Sequence, residues 1–375
     1  MKLREARNGR EIHIKHRPVP FSFFPTYHRE RREGVNSTLF VTNPWNIICE
    51  SIENIPNDIV RKRSLAFFNQ ARDFFTAAQN ADINAAKPLL LYYSFLNLAK
   101  CFIIQKRKHP FNDSPRHGLK EKLFFATGAL RGHICIQTHS DDNVFSNFAE
   151  ELGAGLQRQQ QGVNISPRDF LSQILVGHRV FCQDRTSKEK FINLDQIDYM
   201  HDVNTKEAWL RVRAYKDDFT RLYYNHTDLS EGLNSGQTCW QNVKCDEEKY
   251  GRPMIEAETV HPVVYENRPS EILESLSQNI RPRLWRTATS YPPYREYYIY
   301  LPAPKQILLD QIVIIYLATF GFGSLTRYKP EQFEDILKSS IGPFVLEFFA
   351  SQPSQFLYLM ASEFMKQEVA KAAVV

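Results

Sequence analysis

Apolar residues crowd two stretches that lie nearly 200 residues apart. The first runs from Ser64 to Arg107 and reads SLAFFNQARDFFTAAQNADINAAKPLLLYYSFLNLAKCFIIQKR. The second runs from Ile307 to Pro330 and reads ILLDQIVIIYLATFGFGSLTRYKP. From Asn57 onward, Leu65, Phe68, Ala71 or Arg72, and Phe75 recur at the spacing of a helix with one buried face. A second helix is predicted from Lys87-Pro88, with proline in its first turn, through Leu89, Leu90, Leu91, Tyr93, Leu96, Leu98 and Ala99 to about Lys106. It is apolar almost all round, which marks a central helix. The Ile307 stretch has the same character. Neither can stand alone in water, so the pattern predicts one helical core built from both ends of the chain. Helices Leu89–Ile104 and Ile307–Leu325 are expected to touch.

Between residues 178 and 300 the period shifts toward two. HRVFCQ, AWLRVRAY and EYYIYLP read as strands, and Pro262, Pro269, Pro282, Pro292, Pro293, Pro302 and Pro304 argue against long helices there. Ser166 reads as the N-cap of a short helix. After Pro330, the segments EQFEDILKSS, GPFVLEFFAS and PSQFLYLMASEFMKQEVAKA read as three short helices. Residues 1–45 are basic, irregular and punctuated by Pro18, Pro20, Pro25 and Pro44. Phe21, Phe23, Phe24 and Tyr27 need cover there, which favours an ordered arm over a basic tail for nucleic acid. The expected fold is therefore mostly α with an α+β insert. It comprises a basic N-terminal arm (1–56), the N-terminal stretch of the helical core (57–118), the insert (119–304) and the C-terminal stretch of the helical core (305–375).

Composition adds little to this picture. Aromatics make up 13% of the 375 residues, which argues for a large packed core. The net charge of +5 permits an anionic partner without demanding one. The six cysteines form no CxxC pair and complete no zinc spacing, so reduced thiols and a cytoplasmic location are expected. The N-terminus carries no apolar signal region. The charge-free portion of the second apolar stretch, Ile312 to Leu325, falls short of the ~20 residues that span a bilayer, so no membrane is expected.

Candidate chemistry comes from polar residues set in these apolar helices. Tyr93, Asn97 and Lys100 fall at i, i+4 and i+7, on one helical stripe. A lysine there must reach water, a carboxylate or an anionic ligand, because an unpaired buried charge is costly. The plain alternative is an internal salt bridge with a snorkelling stem. No acid lies between Leu89 and Lys108, so a protein partner would have to be distant, with Asp310, Glu331 or Glu334 as candidates. Arg327 follows the most apolar helix, where its planar fork suits a carboxylate or phosphate or else the last carbonyls of that helix. His117, in the polar loop after the central helix, could be a general base or a phosphate donor, or a solvated turn residue. These five residues are the candidate ligand-binding set. Phosphate-binding loops, dinucleotide fingerprints, HExxH and GxSxG are absent, so neither a cofactor nor a metal is expected. The adjacent acids Asp141-Asp142 and Asp217-Asp218 would point to opposite faces of a strand, a poor start for a metal site.

The helical text resembles the YaaC-like family of bacterial proteins. The resemblance rests on FFNQARDFF, KPLLLYYSFLNLAK, the loop ending RHGLKEK, IVIIYLATFGFGSLTRYKPEQFEDIL and FLYLMASEF. It implies a mostly helical intracellular protein and brings no activity with it. Family-like proteins among mobile or defence-associated genes imply nucleic acid as a partner. A second resemblance is to HEPN-type ribonucleases, whose Arg-x4–6-His motif is matched by Arg221 and His226 in TRLYYNH. Arg7 with His13 and Arg10 with His16 match it as well. The HEPN likeness does not extend to Arg327, which YKPEQF follows with no histidine.

Three functional readings follow. The first is a non-enzymatic binding module that holds a nucleotide or nucleic-acid phosphate. The second is a metal-independent HEPN-like ribonuclease with Arg221 and His226 as its catalytic pair. The third is a structural subunit with a protein partner. The pattern decides neither for nor against an enzyme.

Overall fold

The structure, a computed structural model, describes residues 3–29, 32–84, 86–109, 111, 115–137, 143–154, 162–185, 188–225, 227–235, 238–289 and 297–372. The chain divides into two compact units, each built from segments distant in sequence. One comprises residues 43–187 and 306–365, and the other residues 1–42, 188–305 and 366–375.

Helices α1 to α6 belong to the first unit: Pro44–Glu53, Asp58–Asn80, Lys87–Arg107, Val144–Glu151, Pro167–Leu171 and His178–Arg185. Helices α7 to α9, Lys216–Arg221, Asp228–Leu233 and Leu273–Ile280, belong to the second. Helices α10 to α12, Gln311–Tyr328, Pro330–Lys338 and Gly342–Met365, return to the first.

In the helical unit, α2 is amphipathic. It buries Val60, Ser64, Phe68, Ala71, Phe75 and Ala78, and the Asn57 side chain caps it by accepting from the N–H groups of Ile59 and Val60. Helix α3 starts on Pro88 and stops at Lys108, whose left-handed φ of 58° breaks the helical run. Lys106 and Arg107 in its last turn complement the helix dipole. Its buried residues lie on every face, because α2, α10 and α12 all pack on it. Ser94 donates to the Ala71 carbonyl at 2.7 Å, and Phe95 stacks on Phe356 of α12 at 3.9 Å. Helix α10 is capped by Asp310, which accepts from Ile312 N–H at 2.8 Å, and is buried from Gln311 to Thr326. A three-stranded antiparallel sheet packs on this unit in the order Leu119–Ala126, Ala129–Ile136, Val163–Ile165.

The second unit centres on an antiparallel sheet ordered Arg10–Glu11, Gln196–Asp202, Glu207–Tyr215, Arg252–Thr259, Trp240–Val243. Alternation along Glu207–Tyr215 sends Ala208, Leu210, Val212 and Ala214 into one core with Ile197, Tyr199 and Ala257. The other face carries Arg211 and Arg213, paired across the sheet with Glu258 and Glu256. The C-terminal strand Val369–Lys371 pairs in parallel with Leu39–Val41.

The expectation of a mostly α fold is corrected. Of the described residues 45% are helix and 25% strand, a mixed α/β fold. Many strands are only two to four residues long, as in His13–Ile14, Arg17–Pro18 and Thr26–Arg29, and so show almost no period-two signal. HRVFCQ is not a strand but the start of α6. The text from Gly342 forms one helix that runs through Pro353, where a second helix was expected to start. The expected helix EQFEDILKSS is α11; the two expected to start near Gly342 and at Pro353 are one, buried on both sides of the proline, so tertiary packing offsets the lost hydrogen bond. Among the described residues, α3 is the one helix long and apolar enough to cross a membrane, and 72% of that window is buried in the protein.

Candidate functional site

Helix α10 lies almost directly on α3 because Gly323 carries no side chain. A Cβ there would stand 3.2 Å from the Pro88 carbonyl oxygen and 3.3 Å from Tyr92 Cβ. One turn further on, Arg327 emerges beside α3, and its Nη1 donates to Tyr93 Oη at 3.2 Å. Below this crossing a cavity of ≈ 370 Å³ opens between α3, α10, the His117 loop and the start of the 119–126 strand.

The His117 loop is tied down by its backbone. Phe145 N–H donates to the His117 carbonyl at 3.2 Å, Val144 N–H to that of Arg116 at 2.9 Å, and Gln137 N–H to that of Gly118 at 2.9 Å. Gly118 adopts φ +84°, and the Asn143 side chain occupies the space any Cβ would need. Only glycine fits that conformation against that neighbour. The loop sets the His117 ring against Tyr92, with Nδ1 2.5 Å from Tyr92 Oη.

Strand alternation supplies the cations. Lys120 and Lys122 are exposed on one face of the 119–126 strand, and Leu119, Glu121 and Leu123 lie on the other. Lys120, Lys122, Arg327 and His117 line the cavity, together with Tyr92, Phe320 and Tyr328. Glu121 is the one acid in the lining. Its carboxylate accepts from Leu123 N–H at 2.6 Å and lies 3.9 Å from Lys329 Nζ. Lys120, Lys122 and Arg327 have no carboxylate partner among the described residues.

The electrostatics follow from this crowding. Desolvation, and then the charges of Lys100 and Arg327, hold the His117 imidazole below its ordinary 6.5, so it is neutral at pH 7. Burial, with Tyr93 adding to it, pushes the Tyr92 phenol far above 10 and keeps it a hydroxyl. Lys100 is lowered by burial and by Arg63. Behind Tyr92, the Tyr316 hydroxyl is fully buried, pushed up by burial, and has no hydrogen-bond partner among the described residues.

Of the five residues singled out from the sequence, His117 and Arg327 line the cavity, and Tyr93 reaches it through Arg327. The Tyr93–Lys100 stripe instead turns toward α2. Tyr93 stacks on Phe74 at 5.5 Å and Lys100 Nζ lies 5.1 Å over the Phe67 ring. Asn97 is buried in α3 and is not among the residues of the cavity wall. Of the carboxylates proposed to neutralise Lys100, Asp310 caps α10, Glu334 pairs with Lys338 at 2.6 Å, and Glu331 sits in the first turn of α11. Sequence reasoning passed over Tyr92, one residue round the helix from Tyr93, and the Lys120/Lys122 pair. The i, i+2 spacing in LKEK was their one visible signal.

Arg221 ends α7 in the other unit, half exposed, with Nη1 4.0 Å from Glu189. His226 and the pair Asp141-Asp142 lie outside the described residues. Asp217 and Asp218 sit in the first turn of α7, not on a strand, and both reach Arg252, at 3.4 and 3.1 Å. Arg7 is taken up by the Thr259 and Val260 carbonyls. A larger cavity of ≈ 600 Å³ in that unit contains Asp195 and Asp198, already met by Lys249 at 2.8 Å and Arg213 at 3.8 Å. Glu11 lines it as well, so that wall is acidic, unlike the cationic wall beside Arg327. No group of three metal-ligating side chains gathers among the described residues.

No curated protein and no solved structure matches the chain. A family model described as YaaC-like Protein matches residues 32–364, a span that takes in α3, the His117 loop, the 119–126 strand and α10. The chain belongs to the YaaC-like protein family.

Proposed function

We propose that the cavity between α3, α10 and the His117 loop binds an anionic group, and that the protein acts as a binding module for a phosphate-bearing ligand, a nucleotide or a nucleic-acid end. One observation carries this reading. Lys120, Lys122 and Arg327 line one cavity with no carboxylate partner among the described residues, while its single acid is engaged by Lys329 and Leu123. Like charges gathered on one cavity wall repel one another, and an anion among them relieves that repulsion. The aromatic walls, Tyr92, Phe320 and Tyr328, offer faces for a planar ring beside the phosphate.

Calorimetric titration with AMP, inorganic phosphate and a short RNA at two salt concentrations tests the reading. Binding that weakens with salt and drops about tenfold in Arg327→Met supports it, an expectation set by the strength of one charge-assisted hydrogen bond. No binding by any of the three probes to a folded wild-type protein would refute it.

A further inference from the structure

Tyr92 and His117 determine how this cavity can treat its ligand. Tyr92 is buried, 5% exposed, and its hydroxyl has one hydrogen-bond partner among the described residues, His117 Nδ1. The phenol carries a single hydrogen. If Nδ1 bore a proton and donated it to Tyr92 Oη, the phenol hydrogen would be left with no acceptor among the described residues. The satisfied arrangement is the reverse: Tyr92 O–H donates and Nδ1 accepts. The imidazole proton then sits on Nε2. That atom lies across the ring from the buried phenol, on an exposed residue of the cavity wall.

The backbone keeps the ring in that pose. The His117 and Arg116 carbonyls are held by the first N–H groups of α4, and Gly118 is locked against Asn143. Lys100 and Arg327 lower the proton affinity of the ring. A second proton would have to go on Nδ1 and break the Tyr92 donation.

We infer that His117 meets the anion as a hydrogen-bond donor through Nε2–H, set in that tautomer by Tyr92, and that it does not serve the site as a base. This rests on the reading of the cavity as an anion site. The ligand chemistry it selects is an acceptor oxygen, from free phosphate or a phosphate monoester, shared with the Arg327 guanidinium and the two lysines. Tyr92 is a positioning residue that acts through His117.

Nitrogen-15 NMR of histidine-labelled protein tests this directly, with the His117 signals identified by their loss in His117→Gln. At neutral pH, Nδ1 should report as the unprotonated, acceptor nitrogen and Nε2 as the protonated one. In Tyr92→Phe the two signals should move toward the average of the tautomers. Titration with inorganic phosphate and separately with AMP should move the Nε2–H signal, and tighter AMP binding would mark a nucleotide source. His117→Gln, whose amide offers a donor near the same place, should bind within about threefold of wild type, while His117→Leu should lose about tenfold, as expected for one hydrogen bond to a charged group. A protonated Nδ1 in the wild-type protein would overturn the donor assignment whatever binds. An unprotonated Nδ1 with no response to either probe would leave the tautomer standing and overturn the anion-site reading on which the inference rests.

Discussion

Arg327 Nη1 donates a hydrogen bond to Tyr93 Oη at 3.2 Å, across 234 residues of sequence. The contact joins the last turn of α10 to the first turns of α3 and leaves the rest of the guanidinium exposed at the cavity mouth. Replacing Arg327 by methionine therefore removes charge from the cavity without opening the core. Thermal unfolding should shift by less than about 2 °C, because an exposed residue with one solvent-accessible hydrogen bond contributes little to stability. Lys100→Met should change phosphate affinity less than threefold, since Lys100 does not line the cavity. Equal losses in both variants, read by calorimetry, would contradict this geometry.

The same lysine makes a statement about pH. Its folded pKa is depressed by burial and Arg63, so between that value and 10.5 the unfolded chain binds more protons than the folded one. Stability should accordingly rise with pH through that window. Lys100→Met should flatten the rise in urea midpoints measured up the alkaline range.

His117 follows the same rule at lower pH. Its folded pKa lies below the ordinary 6.5, so stability should fall as pH drops from 6.5 through the folded value. In His117→Gln that portion of the acid limb should disappear. An unchanged pH profile in the variant would show that the imidazole is not desolvated against Tyr92.

Gly118→Ala should be strongly destabilising. A Cβ at φ +84° is strained on its own, and here it would fall on the Asn143 side chain. A loss of about 2–3 kcal/mol is expected from strain and overpacking together. Denaturant melts would measure it. The variant should also bind AMP less tightly, because the turn that aims His117 is displaced.

In the second unit, Arg286 Nη1 and Glu368 Oε2 form an ion pair of 2.8 Å with both side chains about 5% exposed or less. The other carboxylate oxygen accepts from Ser22 and Tyr297. Arg286→Met should be destabilising by about 3 kcal/mol, because it removes the cation beside a buried carboxylate. Tyr316→Phe points the other way. Its hydroxyl is buried without a partner among the described residues, so removing it should be neutral or stabilising by about 1 kcal/mol. Urea denaturation of both variants beside the wild type would check the two signs.

The sequence by itself determined the two core helices. Residues 89–104 and 307–325 read as apolar almost all round, and a helix of that kind has nowhere to go but inside, although the second begins only at Gln311. It also determined that His117 and Arg327 would stand at the ends of such helices, because a polar loop and an RYKP stop follow the apolar runs directly. Tertiary structure decided the rest. The choice of Tyr92 over Tyr93 as the partner of His117 turns on one residue's rotation about α3, about 100°, which no periodicity resolves while the helix is buried all round. Lys120 and Lys122 joined the site only when a strand ladder brought the 119–126 strand beside α10. The same holds for the second unit, where residues 39–41 meet residues 369–371. A strand two to four residues long carries almost no pattern of its own, and its hydrogen bonds are made with a partner that only the folded chain brings near.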